Sequence, residues 1–139
     1  MSKKLTFQTL VVCKNSIVVG MGKQGNKVTG NKGESLAAEN LMMKGYEILG
    51  RNYRSKWGEI DIIAKINDTI VFVEVKTKTT DKFGEPWEMV NAWKIEQVKR
   101  MGEVWQREYG WDGRVRVDVV GVYLDSEIPR VEHWESVDL

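Results

Sequence analysis

Between residues 34 and 44, Leu36, Ala37, Ala38, Leu41 and Met42 recur at helical spacing, and Gly45 stands where a left-handed C-terminal cap would. The period then changes. Residues 46–54, 59–66 and 69–77 read as strands, the last two separated only by Asn67-Asp68. So short a polar loop predicts an antiparallel hairpin. A second helical stripe, Val90, Lys94, Val98, Met101 and Trp105, follows Pro86 and runs to Gly110, with the proline at a favoured first-turn position. Lys94 interrupts an otherwise apolar face. Residues 114–124 predict a strand whose run Val119 to Val122 is buried on both faces, and Arg130–Trp134 predicts a short edge strand. Upstream, residues 8–13 and 16–20 predict a hairpin around Lys14-Asn15, and residues 22–33, with four glycines, predict a linker. There are no internal repeats.

If Asn67-Asp68 is a two-residue loop, Ile66 faces Thr69, and every further pair of residue numbers sums to 135. Asp61 then falls opposite Glu74, and Glu59 opposite Lys76. Side chains alternate along a strand, so these four share one face, and Ile60, Ile62, Val73 and Val75 share the other. Opposed carboxylates cost up to about 1 kcal/mol even when solvated, and more when buried. A divalent cation would offset that cost, because magnesium-type ions take oxygen ligands from one or two carboxylates. The same spacing also fits a wetted polar face with an ordinary Glu59–Lys76 ion pair. Glu34 is equally two-sided. Its spacing to Ala38 and Leu41 places it on the buried stripe, where it needs a partner or a cation, whereas a first-turn glutamate would simply complement the helix dipole.

Charge changes the picture because it is uneven. Residues 1–33 carry six lysines and no acid, whereas residues 34–139 carry fifteen basic and twenty acidic side chains, a net of −5. A basic arm on an acidic body is a recurring layout for contact with nucleic acid, and also that of a solubilising tail. With 139 residues, 42% hydrophobic and 29% charged, the chain has the composition of one packed domain. No apolar run reaches the ~18 residues of a membrane span, so no membrane association is expected. Cys13 stands alone, which excludes an intramolecular disulfide, leaves no zinc-type cluster and fits a cytoplasmic setting. Lys14 interrupts the N-terminal apolar stretch, so no signal peptide is expected, and Met21 is an alternative start. His133 is the only histidine, and a structural role is expected for it. A histidine-dependent triad and a phosphate-binding glycine loop have no support.

Gly33-Glu34 opens the first helix, followed by Arg51-Asn52-x-Arg54, by residues 58–64 (Gly-Glu-Ile-Asp-Ile-Ile-Ala) and by residues 71–76 (Val-Phe-Val-Glu-Val-Lys). Phe83-Gly84-x-Pro86-x-Glu88, Lys94 and Arg116-Val117-Asp118-Val119-Val120 come after them. This ordered set strongly resembles the YraN-type family of uncharacterised bacterial proteins over about residues 30–134. Val117 departs from the phenylalanine more usual there. The resemblance places the chain with the restriction-endonuclease-like superfamily, whose signature is Asp followed by Glu-x-Lys and whose architecture archaeal Holliday-junction resolvases share.

The resemblance implies an α/β fold with a central mixed β-sheet flanked by helices and a nuclease-like domain over residues 31–139, and it leaves the basic arm, residues 1–30, unexplained. It implies that Asp61, Glu74 and Glu34 are ligands of Mg2+ or Mn2+, and that Lys76 acts in catalysis with them. Arg51, Arg54 and Lys94 are then expected to contact phosphates. Among the tryptophans, Trp57 beside the active strand is the one expected to touch nucleic acid. The expected activity is metal-dependent phosphodiester cleavage of nucleic acid, DNA above all, including branched repair intermediates. A homodimer is expected by analogy with the resolvases. The alternatives are a non-catalytic nucleic-acid-binding or adaptor module, and an interaction protein whose carboxylates are structural.

Overall fold

A computed structural model describes residues 25–79 and 92–137, with side chains from residue 31 onward. The elements in chain order are α1 (Gly25–Met43), β1 (Glu47–Ser55), β2 (Gly58–Ile66), β3 (Thr69–Lys78), α2 (Ala92–Tyr109), β4 (Arg114–Tyr123) and β5 (Arg130–Trp134). The strands form one sheet in the order β1-β2-β3-β4-β5. β1, β2 and β3 make an antiparallel meander, β4 joins β3 in parallel, and β5 closes the far edge antiparallel to β4. Only the parallel pair needs a long crossover, and α2 lies in it. The protein is an α/β domain with a five-stranded mixed sheet and two helices, consistent with a nuclease-like fold.

One helix covers each face. Leu36, Ala37 and Leu41 of α1 pack on Ile62, Ala64, Val71, Val73, Val120, Val122 and Val131. Ile95, Val98, Met101 and Trp105 of α2 pack on Ile60, Ile63, Ile70, Phe72, Val117 and Val119. The central strands β3 and β4 feed both clusters with adjacent residues, which is why they read as continuous apolar runs. The expected β2–β3 register holds from Ile66↔Thr69 to Ile62↔Val73, with Asn67 at φ 53° in the connecting turn.

Three expectations are corrected. The stretch expected to be a linker is helical from Gly25, so α1 begins nine residues before Glu34. Gly33 has a packing role: a Cβ there would collide with Oγ1 of Thr77, so glycine lets α1 cross β3 closely. Ile60 does not share a face with Ile62, for it packs beneath α2 while Ile62 packs beneath α1. The alternation breaks at Asp61, which pairs with neither neighbour: β1–β2 pairing passes from Arg51↔Ile62 to Tyr53↔Ile60, and β2–β3 pairing stops at Ile62↔Val73. Opposite this break Asn52 adopts φ 54°, a left-handed conformation that asparagine tolerates better than most residues. The Glu59–Lys76 pair is also absent, since Glu59 binds Arg54 (2.9 Å) and Lys76 lies beside Glu74. The N-terminal hairpin, Pro86 and Trp87 fall outside the described residues.

A polar network anchors β4 to β5. The fully buried Asp118 accepts from Arg116 Nε (3.1 Å) and the Ser136 backbone N–H (3.0 Å), and His133 Nε2 lies 2.7 Å from its other oxygen. Lys44 Nζ, at the end of α1, lies 2.7 Å from His133 Nδ1. All four groups are satisfied when Lys44 donates to Nδ1 and the Nε2–H of His133 donates to Asp118. Asp118→Ala would leave buried donors without their acceptor, and we expect a loss of about 3–5 kcal/mol. Urea denaturation of both chains measures it; a loss below ~1 kcal/mol would show the network to be dispensable.

Candidate active site

The break in β2 creates the site. Because the ladder stops at Ile62↔Val73, the Val75 N–H has no strand partner there, and Asp61 Oδ2 accepts it at 2.8 Å. A carboxylate thus replaces a rung of the sheet. Glu74, expected directly opposite, is next to it but 3% exposed. Its Oε1 lies 3.7 Å from Lys76 Nζ and 3.9 Å from Lys94 Nζ, within ionic reach but beyond hydrogen-bond length. Its Oε2 is buried and accepts no hydrogen bond.

Burial raises the Asp61 carboxyl above its ordinary range, offset by the Val75 N–H. Burial, reinforced by the Asp61 charge, pushes Glu74 up to about 8 against the pull of Lys94 and Lys76. Asp61 and Glu74 act directly on each other's protonation, so the two carboxyls titrate as a pair.

Glu34 joins from α1. Its Oε1 accepts from Arg51 Nε and Asn52 Nδ2, each at 3.0 Å, and its side chain is 8% exposed. Of the two roles open to it, pairing on the buried stripe is the one found, since the helix starts too far upstream for Glu34 to lie in the first turn. Burial raises its pKa, and the Arg51 hydrogen bond and charge oppose the rise. The charges of Asp61 and Glu59 also act on it. Glu34 is nevertheless occupied by Arg51 and Asn52, and among the described residues no three Asp, Glu, His or Cys side chains converge as a metal cage.

The expected phosphate contacts are already partnered. Arg51 binds Glu34 and Ser35, Arg54 binds Glu59, and Lys94 reaches both Glu74 and, at 3.3 Å, Gln97 Oε1. Trp57 stands in the β1–β2 turn, 60% exposed. The sequence reading missed Asn52 as a positioning residue. Its signal was a turn-former in mid-strand, where a β-prone residue would be expected. Gln97, which bonds both Lys94 and the Trp57 carbonyl, left no signal on a polar helix face.

A carboxylate hairpin flanked by lysines, built into a two-sided α/β sheet of nuclease-like form, defines the class of domain. Comparison with known proteins gives the family. The family model described as "Uncharacterised protein family UPF0102" matches residues 33–122, and the chain belongs to that family. Similar relatives, each named a UPF0102 protein, occur in Caldicellulosiruptor saccharolyticus (50% identity, covering 69% of this chain and 82% of the relative) and Alkaliphilus oremlandii (45%, 80% and 97%). Another, from Geobacter metallireducens, is 41% identical over 78% of this chain and 89% of its own.

An acid whose pKa rises from 4.5 to about 8 on folding holds its proton more tightly folded than unfolded. Stability is then fullest below pH ~4.5 and is lost as pH climbs through ~8. We expect the melting temperature of metal-free protein to fall between pH 5 and 8, the loss being on the order of a few kcal/mol. Glu74→Gln should flatten that slope and leave the variant more stable than wild type at pH 8. Calorimetry across the range decides it, and an unchanged slope in the variant would place the titration elsewhere.

Proposed function

We propose that this domain is a phosphodiesterase acting on nucleic acid, with DNA the expected substrate, and that it works with Mg2+ or Mn2+ held by Asp61 and Glu74. The observation that carries the reading is Glu74 Oε2, a buried oxygen with no hydrogen-bond donor beside a second carboxylate. A carboxyl in that state is costly to ionise, as its raised pKa reflects, unless a cation pairs with it. An all-oxygen donor pair suits a hard divalent ion that keeps most of its own waters. Such an ion, when bound, supplies Lewis acidity toward a phosphoryl oxygen and lowers the pKa of water.

The chain's own residues supply the rest. Asp61 is fixed by the Val75 N–H, so its free oxygen is already oriented. Lys76 lies 3.7 Å from Glu74 and is 30% exposed, close enough to the carboxylates to hold a water or a phosphate oxygen at the same point. Lys94 faces the pair from α2 and can take the phosphate charge once Glu74 no longer engages it. Glu34, held through Oε1 by Arg51 and Asn52, keeps negative potential beside Asp61. A non-catalytic nucleic-acid-binding module is the second reading. It is favoured by the net −5 of residues 34–139 and by the engagement of Arg51 and Arg54 with carboxylates, which leaves little positive surface for a long duplex.

Two measurements test the proposal. Millimolar Mg2+ or Mn2+ should raise the melting temperature of wild type but not of the Asp61→Asn, Glu74→Gln double variant; equal shifts would remove the metal site. Lys76→Ala should keep that shift yet lower single-turnover cleavage of a branched or linear DNA panel by 100-fold or more, about 3 kcal/mol in the transition state. Cleavage by the variant at the wild-type rate would end the assignment of Lys76. No cleavage by wild type on any substrate would establish the non-catalytic module instead.

A further inference from the structure

The β1–β2 turn holds Trp57 with a fixed backbone and an exposed side chain. Its backbone is pinned at both ends: its N–H donates to Ser55 Oγ at 3.1 Å, and its carbonyl accepts from Gln97 Nε2 at 3.0 Å. The turn is seated tightly on α2, since a Cβ at Gly58 (φ +147°) would stand 2.7 Å from the Gln97 side chain. Yet the indole itself is 60% exposed. A rigid backbone holding an aromatic ring out in solvent leaves its face available, already oriented, to an external partner.

The surroundings say what kind. Trp57 lines an open cleft of about 520 Å³, a volume in the range of small-ligand sites, whose other walls include Arg54, Lys56, Glu59, Lys94 and Gln97. Lys56 Nζ lies 4.6 Å from the centroid of the indole. Lys56 beside the exposed ring, with Arg54 and Lys94 on the cleft walls where Glu59 and Glu74 engage them, brings together the two components of single-strand recognition: charges able to exchange those partners for phosphates, and a π-face that accepts a base. Lys94 links the cleft to the carboxylate site, since it lines the cleft and lies 3.9 Å from Glu74.

We propose that this cleft takes an unpaired nucleobase stacked on Trp57, so that the preferred ligand is a nucleic-acid strand with an unstacked nucleotide beside the phosphate at Lys94. Bases within a duplex are already covered on both faces and cannot occupy the ring without being extruded. The substrates selected are therefore single strands, flaps and bulges, and continuous duplex is disfavoured. This inference rests on the nucleic-acid part of the proposed function but not on catalysis.

The test is binding, made in the full-length Asp61→Asn, Glu74→Gln variant so that neither turnover nor carboxylate repulsion intrudes. A single-stranded oligonucleotide carrying 2-aminopurine and its fully paired duplex are titrated at one fixed salt concentration. We expect tighter binding of the single strand, with quenching of the 2-aminopurine. Trp57→Ala should lower single-strand affinity about 5- to 150-fold while leaving duplex affinity unchanged, and Trp57→Phe should restore most of the loss. An unchanged single-strand affinity in Trp57→Ala, or equal losses on both ligands, would overturn the proposal, the second pointing to a general structural defect of the turn. The outcome is separable from that of catalysis. A wild-type chain that cleaves nothing but keeps the Trp57-dependent preference would sink the phosphodiesterase reading and uphold this one.

Discussion

Two carboxylates placed side by side below the surface, where the β2–β3 ladder gives out, are the constraint around which the rest of the domain is arranged. Bringing Asp61 and Glu74 together costs solvation and mutual repulsion, and the surrounding parts all bear on that cost. The Val75 N–H holds Asp61, while Lys76 from the same strand and Lys94 from the opposite layer approach Glu74 without closing a hydrogen bond. The close crossing of α1 at Gly33 brings Glu34 to the same end of the sheet, and the left-handed Asn52 turns to meet it. A fully neutralised pair would stabilise the fold better but would have nothing left for a cation or a phosphate.

The Asp118 network solves the same problem in the opposite manner. There a fully buried carboxylate is surrounded by Arg116, His133 and the Ser136 N–H, and every donor is spent internally. The contrast separates the two clusters by what they leave unfinished. Saturated buried charge fixes β4 against β5 and the end of α1, whereas Glu74 Oε2 is buried without a hydrogen-bond donor.

Much of the fold was legible because it depends on local rules. The Asn67-Asp68 turn set the β2–β3 register, the apolar stripes marked the helices, and Arg130–Trp134 emerged as the edge strand expected. The features that escaped depend on contacts between distant segments. Glycines at 25, 30 and 33 argue against helix in isolation, and only the close approach of Thr77 gives Gly33 its reason. Strict alternation put Ile60 with Ile62 because nothing in the local sequence shows that the strand breaks at Asp61. Within the site, the adjacency of Asp61 and Glu74 followed from register, but the competition of Arg51 and Asn52 for Glu34 arises only when β1 is folded against α1.

The break that positions Asp61 also governs how the sheet ends. β1 is an edge strand, and an edge normally offers unpaired backbone groups to any other extended chain. Here the register shifts between Ile48 and Gly50, Asn52 takes a left-handed conformation, and Arg51 and Arg54 make β1 a charged strand. A bulged, kinked and charged edge is a poor template for strand addition, so the distortion that builds the site doubles as protection against edge-to-edge aggregation.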